Sequence, residues 1–311
     1  MRTVLLLNNS ANNGAAYSKW KSIENAVTDR LPPGALILET GSPYDHFAEK
    51  VNGLMQDGYS CFISGGGDGS LNHLLNAILS MKNECAPDMY IGAIGLGSSN
   101  DFLKRKNTRF NGIPARINTG GFCPADVGRV TFTTAGNVRL TRYFIANASV
   151  GVVSDANYAF NQGDFFIDRF KSRAVNLAIL YTALKTVLRY KNKDVEIEYS
   201  NCRKRISLTN LSIIKTPHVS GSFQYDQQIL ENDGYLGLNY CFDMNKAELL
   251  GFLSDLGNKR FSGKKKRISE FVSDVKVYSE DYLNLELDGE VYQTGDISFS
   301  ILPSAINLLG S

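Results

Sequence analysis

Histidine is scarce in this 311-residue chain: His46, His73 and His218 stand far apart. With no HExxH pattern and no CxxC pair, a zinc centre is not expected. Cysteine is sparse and odd in number, five residues (Cys61, Cys85, Cys123, Cys202, Cys241) scattered along the chain. A reducing compartment is therefore expected rather than a disulfide framework. No run of about 18 apolar residues exists to carry a helix across a bilayer. The opening apolar run, Val4 to Leu7, is too short for a signal peptide and reads as a buried strand. Charge of one sign is missing too: 33 Lys and Arg stand against 31 Asp and Glu, a net +2, which argues against a nucleic-acid partner. No GxxxxGK[ST] motif is present, so the chain is not a P-loop NTPase. The nearest approach, Gly257 to Lys265, has the wrong glycine spacing and no Ser or Thr after the lysine. A GxSxG elbow, internal repeats and low-complexity tracts are also absent.

What is present suits two globular domains. Hydrophobic residues make up 43% and charged residues 21%, enough for sizeable cores. The first third alternates between strand and helix. Thr3 to Leu7 reads as a strand, Tyr17 to Arg30 as a helix, and Ala35 to Leu38 as a second strand. Pro43 to Gln56 is helical, Ser60 to Ser64 a third strand, Ser70 to Met81 a helix and Tyr90 to Ile94 a fourth strand, with a short helix from Asn100. Such alternation with glycine-rich turns predicts an α/β domain with a parallel sheet. Ligands of such sheets sit at the carboxyl ends of the strands.

The pattern changes near Cys123-Pro124. Strands are expected at Val127 to Thr133, Val138 to Ala146, Val195 to Tyr199, Ile206 to Ile214, Leu236 to Tyr240, Val275 to Tyr278, Leu283 to Leu287 and Ile297 to Leu302. Ala135-Gly136-Asn137 is a hairpin signal. One long helix carries Leu177, Leu180, Leu184 and Val187 at helical spacing. The expected second domain is a mostly antiparallel β-sandwich with a helical insert, making the whole α+β.

Three polar turns fall at one sheet edge. In Ser64-Gly65-Gly66-Gly67-Asp68-Gly69-Ser70-Leu71-Asn72 the glycines allow a tight turn with exposed amides, and the following helix points its amino end at the same place, which favours phosphate. Asp68 is out of place there unless a cation intervenes, and a Mg²⁺ bridging it to phosphates resolves the conflict. The plain alternative is a tight turn with Asp68 capping the helix. The second turn, Gly95-Leu96-Gly97-Ser98-Ser99-Asn100-Asp101, offers hydroxyl and amide groups to a nucleotide, or else caps a helix through Ser99 or Asn100. The third is Asn8 to Gly14.

Together these turns resemble the diacylglycerol kinase catalytic family, which includes bacterial lipid kinases and sphingosine kinases. Gly66-Gly67-Asp68-Gly69-Ser70 matches its GGDGT loop, and Gly95 to Asp101 its PLGTxND loop. Asn8-Asn9-Ser10 is a weaker match to NPxSG, lacking the proline. Ala125 to Val130, Asn232-Asp233-Gly234-Tyr235-Leu236 and Leu287-Asp288-Gly289-Glu290 follow in the family's order. Departures are Ser70 and Ser98 for Thr, which keep the hydroxyl, and Gly95 for Pro.

The resemblance implies a nucleotide-binding domain over residues 1–125, completed by 302–311, and a lipid-substrate domain over 126–301, with ATP in the cleft between them. It implies ATP contacts at Asn8, Ser10, Gly65, Gly66, Gly67, Gly69, Ser70, Asn72, Gly97, Ser98, Asn100 and Asp101. It also implies Mg²⁺ at Asp68, and a second, structural Mg²⁺ held by Asp233 with the carbonyls of Leu230 and Tyr235. Asp288 or Glu290 would be the base that accepts the proton of a lipid hydroxyl. Asp233-Gly234 reads equally as a turn, and Asp288-Gly289 as a type I′ hairpin turn. The expected activity is ATP-dependent phosphorylation of a diacylglycerol-like lipid. The alternatives are a soluble-substrate kinase of the NAD kinase or phosphofructokinase kind, or a nucleotide- or lipid-binding protein whose catalysis has lapsed. The expected setting is cytoplasmic and peripheral to a membrane, and a homodimer is allowed. Phe160, Phe165, Phe166 and Phe170, interleaved with Arg169, Lys171 and Arg173, are candidates for membrane contact. So are Lys259-Arg260 and Lys264 to Arg267. Core phenylalanines and a solvated basic loop are the alternative.

Overall fold

The computed structural model describes residues 1–12, 14–40, 46–105, 108–162 and 185–310, and the side chains among them except those of 160–162. The fold is mixed α/β with mostly strands, and it divides into two compact units. Unit 1 comprises residues 1–127 and 302–311, and unit 2 residues 128–301.

Unit 1 is built on β1 (Arg2–Asn8), β2 (Leu36–Thr40), β3 (Tyr59–Gly66) and β4 (Tyr90–Gly95). They pair in parallel in the order β2-β1-β3-β4. Their sequences explain this. Val4 to Leu7 and Cys61 to Ile63 are continuous apolar runs, every residue buried, as strands covered on both faces require. Leu5 and Leu7 pack with Ala16 and Trp20 of α1 (Ala15–Lys21) and Val27 of α2 (Glu24–Thr28). Helix α3 (Phe47–Gln56) packs against α4 (Asp68–Met81). Helix α4 buries Leu71, Leu74, Leu75 and Ile78, the apolar stripe of a 3.6-residue period. A short antiparallel hairpin, β5 (Thr108–Phe110) with β6 (Ile113–Arg116), adds to β4 through β6.

The single helix expected over 17–30 is two. The Ser22 hydroxyl bonds back to the Lys19 carbonyl, and Ile23 leaves helical geometry at φ −126°. Serine competes with the helix ladder in this way. The helix expected over Pro43 to Gln56 begins at Phe47, because His46 takes left-handed geometry (φ 60°) at its cap position; 41–45 lie outside the described residues.

The chain crosses between the units twice, inside β7 (Asn118–Thr134) and inside β17 (Glu290–Gly310). Both run well beyond the expected strands at Val127 to Thr133 and Ile297 to Leu302. In unit 1, Asn307 and Leu308 of β17 pair in parallel with Tyr90 and Ile91. In unit 2 the remaining strands are β8 (Arg139–Phe144), β9 (Asn147–Gly151), β10 (Lys193–Tyr199), β11 (Cys202–Ile214), β12 (His218–Val219), β13 (Phe223–Gln224), β14 (Leu236–Phe242), β15 (Arg267–Val272) and β16 (Asp274–Leu287).

The strand pairs described within unit 2 are antiparallel. β10 pairs with the first half of β11 and β9 with its second half, and both also pair with β16. The two strands thus fill one gap in succession, in a connected network rather than the two separate sheets of a sandwich. The core takes alternate residues, such as Val195, Ile197 and Tyr199, while Glu196 and Glu198 point away.

Two helices of unit 2 were not anticipated: α5 (Val152–Gln162) and α6 (Lys246–Gly257). The second carried a readable signal, because Asn245 and Glu248 form a capping box at its start. Of the anticipated long helix only Val187 is described; Leu177, Leu180 and Leu184 lie outside the described residues. So do Phe165, Phe166, Phe170, Arg169, Lys171 and Arg173, and the Phe160 side chain. No described helix is long and apolar enough to cross a membrane.

Candidate functional site

In unit 1, β1, β3 and β4 are parallel neighbours, so the turns after them share one edge of the sheet. Those turns are tied together. Asn8 Nδ2 donates to Ser70 Oγ (3.0 Å), while Asn8 Oδ1 accepts from the amide and hydroxyl of Ser10 (3.2 and 2.7 Å). The weak first loop is therefore stapled to the glycine loop without its proline. The Gly66 carbonyl accepts from the amides of Leu96 and Gly97 (2.9 and 3.1 Å). Asn100, left-handed at φ 51°, folds its carboxamide onto Gly97 N (3.1 Å) and the carbonyls of Gly95 and Gly97 (3.3 and 3.1 Å). It sits at the cap position of a 3₁₀ turn, Asp101–Lys104, but makes no side-chain cap bond.

The glycines are needed where backbones touch. A Cβ on Gly97 would lie 2.4 Å from Gly67 Cα, and one on Gly66 would lie 2.4 Å from Ser70 Oγ. A Cβ on Gly95 would come within 2.9 Å of the Pro114 ring. The neighbouring hairpin thus fills the space that the family's proline would take.

Asp68 is the first residue of α4 and not its cap; Gly67 holds the cap position. The Asp68 carboxylate instead accepts from the amides of Asp101 (2.9 Å) and Phe102 (3.1 Å), joining the glycine loop to the 3₁₀ turn. The repulsion that called for a cation is thereby partly offset by two backbone dipoles. Asp101 is buried and pairs with Lys104 at 2.5 Å. Asn72 is buried on α4, where its side-chain oxygen accepts from Asn76. Ser98 is exposed.

Lys19 had no place in the sequence argument. Its ammonium reaches from α1 to the carbonyls of Gly97 (2.8 Å) and Leu96 (3.3 Å), and burial holds its pKa below the ordinary lysine value. Only the fold reveals it, because nothing in positions 15–21 specifies a partner 77 residues away.

Unit 2 holds the other expected carboxylates. Asp288 and Gly289 form a two-residue turn between paired Leu287 and Glu290, both with positive φ (47° and 101°), as a type I′ turn requires. The Asp288 side chain is buried and accepts from three successive amides: Ile145 (2.8 Å), Ala146 (3.0 Å) and Asn147 (2.9 Å). Its own amide donates to the Asn147 carbonyl (3.0 Å). Glu286, also buried, accepts from Ser149 Oγ (2.8 Å) and Gly289 N (2.6 Å). Glu290 is only half-buried.

The expected structural Mg²⁺ site converges, but on an ammonium. Lys215 Nζ donates to the carbonyls of Leu230 and Tyr235 (both 2.9 Å) and to Asp233 Oδ1 (3.0 Å). Asp233 further accepts from the amides of Leu230 (2.9 Å) and Tyr235 (3.1 Å). Burial alone would raise the Asp233 pKa, but the Leu230 amide, the Lys215 ammonium and the Tyr235 amide together hold it below the usual carboxylate value. These residues do not fit a metal ion as they stand, which corrects that assignment of Leu230, Asp233 and Tyr235. No cluster of three or more acidic, His or Cys side chains suited to a metal occurs among the described residues.

The basic run is also less available than its sequence implies. Lys264 and Arg267 pair with Asp255 (2.6 and 2.8 Å), and Lys266 pairs with Glu248 (2.9 Å). An anionic surface would have to compete with those carboxylates.

Residues 2–130 match the family model of the diacylglycerol kinase catalytic domain. The chain is 24% identical over 238 residues to a diacylglycerol kinase of Staphylococcus carnosus, covering 76% of this chain and 72% of that one. It is likewise 24% identical over 239 residues to a diacylglycerol kinase of Staphylococcus aureus, covering 76% and 70%. Its fold is similar to that of a candidate diacylglycerol kinase from Bacillus anthracis, with a TM-score of 0.74 and 17% identity over 100% of this chain and 97% of that one. The resemblance first drawn from the glycine loops is thus borne out.

Proposed function

We propose that this chain, whose residues 2–130 match the diacylglycerol kinase catalytic domain, is an ATP-dependent kinase that phosphorylates a lipid hydroxyl. The observation that carries the reading is the interlocking of three polar turns at one edge of the unit 1 sheet, through Asn8–Ser70, Gly66–Gly97 and Asp68–Asp101.

The proposed nucleotide site comprises Asn8, Ser10, the amides of Gly65 to Ser70, and Gly97 to Asp101. Close backbone approach at Gly67 and Gly97 leaves the turns rigid before any ligand arrives, which favours positioning. The amino end of α4 supplies partial positive charge to the phosphates. Mg²⁺ on those phosphates would spread their charge, with Asp68 the carboxylate that the glycine loop itself carries. Asp68 has a second duty in this reading, since it fixes the 3₁₀ turn on which Asn100 and Asp101 stand.

Of the two candidate bases, we assign Glu290. Asp288 already serves three amides, so its oxygens are committed to holding the turn. It is a positioning residue that sets where Glu290 begins β17. Glu290 orients the attacking alcohol and accepts its proton.

The test is transfer of labelled phosphate from ATP to vesicles containing diacylglycerol, phosphatidylglycerol or a sphingoid base, with NAD and fructose 6-phosphate as soluble controls. A labelled lipid is expected. Label appearing on NAD or fructose 6-phosphate alone would overturn the lipid reading. No label anywhere, despite bound ATP, would leave a lapsed kinase.

A further inference from the structure

The oxygens of Leu230, Asp233 and Tyr235 converge on one point, and that point is the Lys215 ammonium, at 2.9, 3.0 and 2.9 Å. The Lys215 side chain is 2% exposed. Its backbone is fixed as well, since the amides of Lys215 and Thr216 both donate to the Ala146 carbonyl (2.8 and 3.0 Å). Ala146 is the same residue whose amide serves Asp288. The loop that carries Asp233 is thereby joined, through Lys215 and Ala146, to the turn that carries Glu290, all inside unit 2.

A buried ammonium is costly unless charged and polar acceptors surround it. Here one carboxylate and two carbonyls do so, the donor set that a hard divalent cation would choose. We propose that Lys215 is the resident cation of this loop. It replaces a bound divalent ion, and the 230–235 loop and the Asp288 turn are held without metal. The ammonium is covalently part of the chain, so the arrangement is indifferent to chelators. Removing the ammonium should expose a latent cation site. The oxygens now stand 2.9–3.0 Å from its centre, whereas Ca²⁺ takes oxygens at about 2.3–2.6 Å and Mg²⁺ at about 2.0–2.1 Å. Less contraction is needed for Ca²⁺, so the latent site should prefer it, with water completing the shell in the space that the lysine stem leaves. This inference does not rest on the proposed lipid kinase activity and is tested without substrate.

The experiment is thermal unfolding of the full chain and of Lys215→Ala and Lys215→Met, in EDTA, in millimolar CaCl₂ and in millimolar MgCl₂. The wild-type midpoint should be the same in all three. Lys215→Ala should unfold several degrees lower in EDTA and recover most of that loss in CaCl₂ and less in MgCl₂. Lys215→Met should unfold lower and not recover, because its side chain still fills the site without charge. Calorimetric titration of CaCl₂ should give one equivalent of binding to Lys215→Ala and none to the wild type. A wild-type midpoint that falls in EDTA by several degrees would overturn the proposal. So would a Lys215→Ala variant that gains nothing from CaCl₂, including one that fails to fold in its presence.

Discussion

The chain has three Asp-Gly pairs that sequence reasoning assigned to chemistry, one in unit 1 and two in unit 2, and they are used differently. In unit 1, Asp68 connects two segments that both belong to the same ring of turns, so the carboxylate is part of the proposed site and of its scaffold. In unit 2, the carboxylates of Asp288 and Asp233 bond to neighbouring backbone and, for Asp233, to a lysine. One is enclosed by three backbone amides, the other by two amides and an ammonium. A carboxylate at a tight turn has amides close at hand, and ionised acceptors of backbone N–H groups form strong bonds. The same dipeptide thus ties several turns together in unit 1 and secures a single loop or hairpin turn in unit 2.

The largest effect is expected at Asp288. Replacing it with Ala strands three amide donors beside a buried turn and should lower unfolding free energy by roughly 3–6 kcal/mol in denaturant titrations. Glu290→Gln should cost clearly less stability than Asp288→Ala and reduce phosphoryl transfer about 100-fold or more. A stable, inactive Asp288→Ala protein beside an active Glu290→Gln protein would reverse the division of labour.

Next comes Asp68. Its replacement by Ala removes the acceptor of two amides and should cost about 2 kcal/mol while abolishing transfer. Transfer at the wild-type rate would remove Asp68 from the site altogether. Gly97→Ala sharpens the account of unit 1 from the backbone side. The added methyl would meet Gly67 Cα at 2.4 Å, so the two turns must separate, at about 1–3 kcal/mol. The prediction is weaker ATP binding, read as a raised KM for ATP, with little change in the lipid KM.

The smallest effect is the acid limb of stability. The Asp233 pKa lies below its ordinary value in the folded chain. Its contribution is therefore complete above the unfolded value of about 3.9 and is lost as pH falls through the lower folded value. Asp233→Asn should flatten that decline in acid unfolding curves, and an unchanged slope would show that other carboxylates govern it.

The fold of unit 1 was largely legible. Glycines after apolar strands, followed by amphipathic helices, are local patterns, and in a parallel sheet they must share an edge. The continuous burial of Val4 to Leu7 and the Leu71–Ile78 stripe follow from the order of apolar residues alone. Even Asn8, in a poorly matching loop, stayed where the pattern put it. The break at Ser22 and the helix α6 were missed although both had local causes, a back-bonding serine and a capping box.

Lys215 had a subtler signal, a lone lysine closing the run Leu211-Ser212-Ile213-Ile214. A buried lysine needs acceptors, but nothing nearby in sequence says that Leu230, Asp233 and Tyr235 supply them. Lys19 and the Ile145–Asn147 amides were invisible for the same reason.

The residues by themselves determined where the chain turns, which strands are buried on both faces, and which loops carry glycine and carboxylate together. These are properties of a few consecutive side chains and their φ, ψ preferences. Which partners each carboxylate meets was decided only by tertiary structure. That depends on one ammonium brought to Asp233 from 18 residues away and on amides brought to Asp288 from 141 to 143 residues away, and a charge in the interior takes its meaning from whatever surrounds it.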